Sequence, residues 1–287
     1  MLTGGTSGVY YPLGQVIKRL VERDMPTAKL AVVSTQASVE NLNLLQQGKG
    51  TFALAQGDIL SEARKGNPEA GFPSSRTKIR LIGAAYPNYI HIIARADARI
   101  QSVADLRGKR LSVGASRSGN ELNARALLGA ADISYADLIE VEYLEYGRSV
   151  DLMLKQQLDA AIISAGLGVA AVQRAMTRGP IVLVPIDAGL IAKTRGLFYP
   201  STIPAGSYPG QKQEIHVAAL NNYFVTTIDA NEETVYRLTK AIYANLDELR
   251  KAHAATAGMN VQNALAVRPI DVHPGALRYF REVGITR

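Results

Sequence analysis

The sequence predicts an α/β protein built of two comparable lobes. Short apolar runs alternate with stretches whose apolar residues recur at helical spacing, the pattern of strands joined by helices. The pattern occurs twice: Ser7 lies 39 residues before Gln46 and Ser118 lies 38 before Gln156. In both series a pair of glutamines leads into a strand, 52–55 in the first and 160–163 in the second. Later, residues 216–228 contain no Asp, Glu, Lys or Arg and read as a long β-rich return. The expected plan is therefore 1–88 as the first part of lobe I, 89–214 as lobe II, and 215–287 as the return strand and C-terminal helices that complete lobe I. A chain that leaves one lobe and comes back crosses twice, so a double-stranded hinge is expected near Tyr86-Pro87 and around 213–217, with a ligand cleft between the lobes.

The elements follow in order. Pro12 suits the first turn of a helix, where its missing N–H costs nothing. Leu13, Val16, Ile17, Leu20 and Val21 then form one apolar face, and Pro26 ends it. Residues 30–33 read as a strand. Ser38 is placed to cap a helix carrying Val39, Leu42 and Leu45. Strands are expected at 51–55 and 78–85, the latter stopped by Tyr86-Pro87. In the second series 111–113 is a strand, 114–119 a small-residue loop, and Ser118 with Glu121 has the spacing of a capping box. Residues 141–144 form the next strand, and Ser149 is placed to cap the helix of Leu152 and Met153. Val235, Leu238, Ile242, Leu246 and Leu249 mark one amphipathic helix over 234–250, with Glu232 and Glu233 near its positive end.

Composition removes several function classes. Of 287 residues none is cysteine, which excludes disulfides, thiolate metal sites and a cysteine nucleophile. The net charge of +7 is spread along the chain. Its densest run, Arg107, Lys109 and Arg110, follows Asp105, and there is no Trp to stack on bases, so nucleic acid is not an expected partner. No apolar run reaches the roughly 18 residues of a membrane span. The chain opens on Thr3-Gly4-Gly5-Thr6-Ser7-Gly8 with only Met1 and Leu2 before it, which predicts that a leader and most of a first strand lie outside it.

Catalytic motifs are not met. The glycine-rich opening lacks the lysine of a phosphate-binding loop and the spacing of a dinucleotide fold. Neither Ser7 nor Ser116 sits in G-x-S-x-G. None of the four histidines, His91, His216, His253 and His273, has a partner at metal-ligand spacing. No enzyme activity, cofactor or metal is expected. What small-residue loops at helix starts can do is hold an anion on backbone N–H groups. Thr6, Ser7 and Tyr10 add hydroxyls in the first series; Ser116, Ser118 and Asn120 do so in the second, where Arg117 adds a cation able to fork onto a carboxylate. Each of these residues also reads as a plain cap or turn, and one of Tyr10 and Tyr11 is expected in the core.

The run Thr3-Gly4-Gly5-Thr6-Ser7-Gly8-Val9-Tyr10-Tyr11-Pro12-Leu13-Gly14 closely resembles the opening signature of the TAXI family of TRAP-transporter solute-binding subunits. The resemblance continues through Ser38-Val39-Glu40-Asn41-Leu42, Gln56-Gly57-Asp58, Tyr86-Pro87, Asp105-Leu106-Arg107-Gly108-Lys109-Arg110, Ser118-Gly119-Asn120-Glu121-Leu122-Asn123-Ala124-Arg125, Ala165-Gly166, and Ile203-Pro204-Ala205-Gly206-Ser207-Tyr208. It implies a two-lobed periplasmic binding protein of type II-like fold, monomeric, that captures a small anionic or zwitterionic solute such as glutamate, glutamine or a dicarboxylate. Delivery would be to a membrane permease; the alternative is a periplasmic sensor feeding a signalling kinase. By the resemblance the ligand residues are Thr6, Ser7, Gly8, Val9, Tyr10 and Tyr11, then Ser38 with Asn41, Gln56 with Asp58, and Tyr86. From lobe II come Ser116, Arg117, Ser118, Gly119 and Asn120, with Ser164, Gly166 and Tyr208. Three positions depart from the pattern: the family often has glycine where Ala37 stands, serine where Gly57 stands, and glycine or another small residue where Arg117 stands. Arg117 points either into the pocket or to solvent.

Overall fold

A computed structural model describes residues 1–285. Along the chain the elements run α1 (Tyr10–Asp24), α2 (Ser38–Gln46), β1 (Ala53–Gln56), α3 (Gly57–Lys65), β2 (Ile79–Arg95), β3 (Arg110–Ser112), α4 (Gly119–Ala130), β4 (Glu140–Glu142), α5 (Tyr146–Leu154), β5 (Ala160–Ala165), α6 (Ala170–Arg178), β6 (Ile181–Val184), α7 (Ala188–Lys193), β7 (Tyr199–Ile203), β8 (Ile215–Thr227), α8 (Glu232–Tyr243), α9 (Leu246–Ala252) and α10 (Pro274–Glu282). The chain divides into two compact units, Met1–Tyr86 with Asn221–Arg287, and Pro87–Leu220. The division falls inside β2 and inside β8.

In the first unit, Leu2 bridges Val33 and Ala53 in parallel, and β1 runs antiparallel to β8 with Gln56 opposite Asn222. The predicted apolar face of α1 is buried: Leu13, Ile17 and Leu20 are at most 1% exposed. They join a core with Leu42, Phe52, Leu54, Phe224 and Phe280. Each such side chain contributes about 1.5–3 kcal/mol by leaving water. In the second unit β3 is parallel to β4 and β5, while β5 and β6 run antiparallel to β2 and β7 runs antiparallel to β8. Among the described residues no helix is long and apolar enough to cross a membrane.

Four local expectations change. Tyr86-Pro87 does not stop a strand: β2 continues for 17 residues through it, because proline's fixed φ is compatible with extended backbone. The stretch 30–33 is irregular apart from the bridge at Val33. The helix expected over 234–250 is two helices, broken at Asn245, whose backbone is non-helical and whose side chain engages Asp24, Arg23 and the Ala241 carbonyl. Ser149 does not cap α5. It sits inside the helix, buried, with its hydroxyl 2.7 Å from that of Ser112 on β3.

Candidate functional site

The loops of interest in the first unit follow the bridged residues Leu2 and Val33 and the strand β1, and open helices α1, α2 and α3. Their register is set by one buried amide. Asn41, fully buried on α2, donates to the Thr3 carbonyl (2.7 Å) and the Leu54 carbonyl (2.9 Å), and its oxygen lies 2.7 Å from the Thr35 hydroxyl. Both amide protons are thus used on the protein's own backbone. Ser38 is the first residue of α2 rather than its cap, and its hydroxyl accepts the Gln56 N–H at 3.1 Å. The position before it, Ala37, has φ 68° and ψ −141°, a conformation that L-residues rarely adopt. That accounts for the glycine often found there in the resembling family. Gly57 also has a local reason: an added Cβ would stand 2.8 Å from the ring of Tyr223.

Tyr10 and Tyr11 separate cleanly. Tyr10 is buried, with its hydroxyl donating to Asn222 Oδ1 at 2.5 Å and its ring edge-on to Tyr86. Asn222 in turn donates to the Tyr86 carbonyl at 3.0 Å. Tyr86 is itself 3% exposed, so it joins Tyr10 in the packing. Tyr11 and Ser7 are half-buried and Thr6 is exposed, whereas Gly8 and Val9 are buried in the turn that starts α1. That helix has no side-chain cap and no carboxylate in its first turn. Gln56 is buried and Asp58 half-buried in the first turn of α3, where the helix dipole favours a carboxylate.

In the second unit the corresponding amide is Asn120 on α4. It donates to the Val113 carbonyl (2.7 Å) and the Ile162 carbonyl (2.9 Å), and its oxygen accepts the Ser164 N–H. Gly114, at φ 98°, permits this approach, since a Cβ there would fall 2.2 Å from Asn120 Nδ2. Ser118 accepts the Glu121 N–H at 3.1 Å and caps α4. Glu121 does not complete the capping box; its carboxylate takes Arg125 and the Tyr135 hydroxyl instead. Gly119 begins the helix, buried. Ser116 and Arg117 are exposed, and Arg117 has φ 60°, in the left-handed region.

Ser164 is a junction. Its hydroxyl donates to Asn123 Oδ1 at 2.8 Å, and its carbonyl accepts from Asn88 (3.0 Å) and from the Tyr146 hydroxyl (2.8 Å). Gly166 is buried two residues on. Tyr208 is 3% exposed and its hydroxyl lies 2.7 Å from His91 Nε2. His91 is fully buried, with Nδ1 2.9 Å from the Tyr89 carbonyl and 3.2 Å from that of Ile163. Only a protonated Nδ1 satisfies carbonyls, so Nε2 is the acceptor, Tyr208 donates to it, and the Tyr208 oxygen accepts the Gly168 N–H at 3.1 Å. Burial lowers the His91 pKa to about 4, which keeps the ring neutral near pH 7.

The structure therefore gathers Thr3, Thr35, Asn41, Ser38 and Gln56 in one unit, and Gly114, Asn120, Ser164 and Tyr208 in the other. Sequence reasoning missed Asn88, Asn123, Asn222 and Tyr146. A signal existed for one of them: Asn123 is one turn after Asn120 and shares its helix face.

Three solved proteins share this fold at low identity. BugD, a periplasmic binding protein, is 11% identical with a TM-score of 0.60, over 99% of this chain and 92% of its own. The alkanesulfonate-binding protein SsuA from Xanthomonas axonopodis pv. citri, bound to MOPS, is 17% identical with a TM-score of 0.52, over 98% and 83%. A histidine kinase sensor domain with similarity to periplasmic binding proteins is 15% identical with a TM-score of 0.52, over 90% and 94%. Residues 1–284 match the sequence profile of the NMT1-like family. The chain belongs to the NMT1-like family and has the mixed α/β fold of type II periplasmic binding proteins.

Proposed function

We propose that this chain is an extracytoplasmic solute-binding protein of a transporter, working in the periplasm by binding and release rather than by chemistry. The observation that carries the reading is the start of α1. A 15-residue helix begins at Tyr10 with no side-chain cap and no acidic residue in its first turn, and Thr6, Ser7 and Gly8 precede its N-cap Val9. Such an end attracts an anion through backbone N–H groups and the helix dipole. The exposed Ser116 and Arg117 at the start of α4 offer a hydroxyl and a guanidinium of matching chemistry. The ligand is a small carboxylate, of the glutamate, glutamine or dicarboxylate kind, in the manner of TAXI subunits that serve a TRAP permease. Asn41, Asn120, Ser164 and Tyr208 position those loops; Thr6, Ser7, Tyr11, Ser116 and Arg117 make the contacts.

The test is native mass spectrometry of the purified protein followed by a thermal-shift panel of amino acids, dicarboxylates and oxo acids. A carboxylate carried through purification, or a melting shift with one of the panel, is the expected result, and Arg117→Ala then weakens that ligand about tenfold, or 1.4 kcal/mol. No carried ligand together with no shift anywhere in the panel overturns the small-carboxylate reading. The likeness to a sensor domain supports a second reading, in which the same ligand signals to a kinase; copurification with a permease subunit or with a kinase separates the two.

A further inference from the structure

The first unit carries a pocket of about 220 Å³ that shares no residue with the loops above. It is lined by the end of α3, the 75–77 segment, the start of β2 and residues 270–271. Three arginines, Arg64, Arg76 and Arg80, line it together with a single carboxylate residue, Asp271, which stands 4.0 Å from Arg64 and is 71% exposed. The pocket thus holds a formal surplus of two positive charges. Two of the arginines are held in place. Arg76 donates to Asn43 Oδ1 (2.8 Å) and to the Ser74 carbonyl (2.8 Å), with its guanidinium 5.8 Å from the centre of the Phe72 ring. Arg80 donates through Nη1 to the carbonyls of Thr77 and Ile79, both at 2.8 Å. A guanidinium has five N–H donors, so each retains donors beyond these contacts. The negative end of α3 does not cancel the charge, because its last carbonyls are already engaged. The Ala63 carbonyl accepts the Arg76 N–H and that of Arg64 accepts the Ser75 hydroxyl.

We propose that this pocket is a second binding site, for a small dianionic oxyanion of the phosphate or short dicarboxylate class. The volume is below the roughly 300–1,000 Å³ of ordinary ligand pockets, which limits the occupant to one such group. Pre-held guanidiniums suit planar or tetrahedral oxyanions better than an ammonium does.

The experiment is calorimetric titration of inorganic phosphate, and separately of malonate, at low ionic strength. Five proteins are compared: the parent, Arg80→Gln, Arg76→Gln/Arg80→Gln, Arg117→Ala, and Arg178→Gln as a charge-matched change at an exposed residue of α6. At least one probe is expected to bind the parent, about tenfold more weakly to Arg80→Gln, undetectably to the double variant, and unchanged to Arg178→Gln. Arg80→Gln is the safer variant for folding, since Arg80 Nη1 bonds carbonyls of its own segment. Equal weakening in Arg178→Gln, or affinity indifferent to Arg80, overturns the site. Affinity lost only in Arg117→Ala would place the anion on the α4 loop, sinking this proposal while leaving the proposed function standing.

Discussion

Asn41 in the first unit and Asn120 in the second occupy comparable places, each buried on a helix and each donating twice to backbone carbonyls. They differ in what their oxygens do. Asn41 accepts from a side chain, the Thr35 hydroxyl, which has the Thr3 carbonyl 3.0 Å away as a second acceptor. Asn120 accepts a backbone N–H, that of Ser164, and so joins the loop after β3 directly to the end of β5. Losing Asn41 takes a donor from the Leu54 and Thr3 carbonyls, the latter still served by the Thr35 hydroxyl; losing Asn120 takes a partner from three backbone groups. Equivalent geometry therefore conceals unequal dependence, and the second unit has more backbone to lose with its asparagine than the first.

That inequality is open to direct attack. Asn120→Leu should lower unfolding free energy by about 4 kcal/mol and Asn41→Leu by about 3, from one to three kcal/mol per unpaired buried group with partial relaxation. Urea unfolding measures both, and equal costs would erase the distinction. Acid is the next lever. His91 in the second unit has a folded pKa near 4 against an ordinary 6.5, so the unfolded chain binds the proton more readily. Its contribution to stability is complete above pH 6.5 and is lost as pH falls toward 4, up to about 3 kcal/mol. Unfolding followed across that range should show the loss, and His91→Gln should flatten part of the slope; an unchanged slope would remove His91 as a cause. Tyr208→Phe, which strips the donor from His91 Nε2 and the acceptor from Gly168, should cost about 1–2 kcal/mol in the same assay at pH 7.

The smallest effects are stabilising. Ala37→Gly in the first unit relieves a conformation costly to L-residues and should raise stability by about 1 kcal/mol. Arg117→Gly in the second relieves a left-handed residue and should gain about 0.5 kcal/mol, partly offset by the freer unfolded chain. Thermal melts of the pair check the order. A destabilised Ala37→Gly would mean that the freer unfolded chain of glycine outweighs the relieved strain.

Much of the fold was legible because it rests on periodicity. The apolar faces of α1 and α8, the cap at Ser118 and the uncharged β8 are local patterns whose cause lies in neighbouring residues of the chain. The departures at Ala37 and Arg117 were visible as well, and their positive φ values supply the reason. The duties of serines and asparagines were less legible. Ser38 and Ser149 looked like caps, yet one accepts from β1 and the other meets Ser112 across 37 residues. Asn41 and Asn120 looked like ligand contacts, yet their amide protons are taken by carbonyls up to 42 residues away. Tyr208 went the same way, buried against a histidine 117 residues distant.

The sequence by itself determined the α/β class, the repeated series and the glycine-rich starts of the helices, because backbone propensity and apolar spacing act over a few residues. Only the tertiary structure decided which polar side chains serve the backbone and which stay exposed. A hydroxyl or amide has a small, fixed number of hydrogen bonds to give. Where they go depends on which strand ends the fold leaves unpaired beside it.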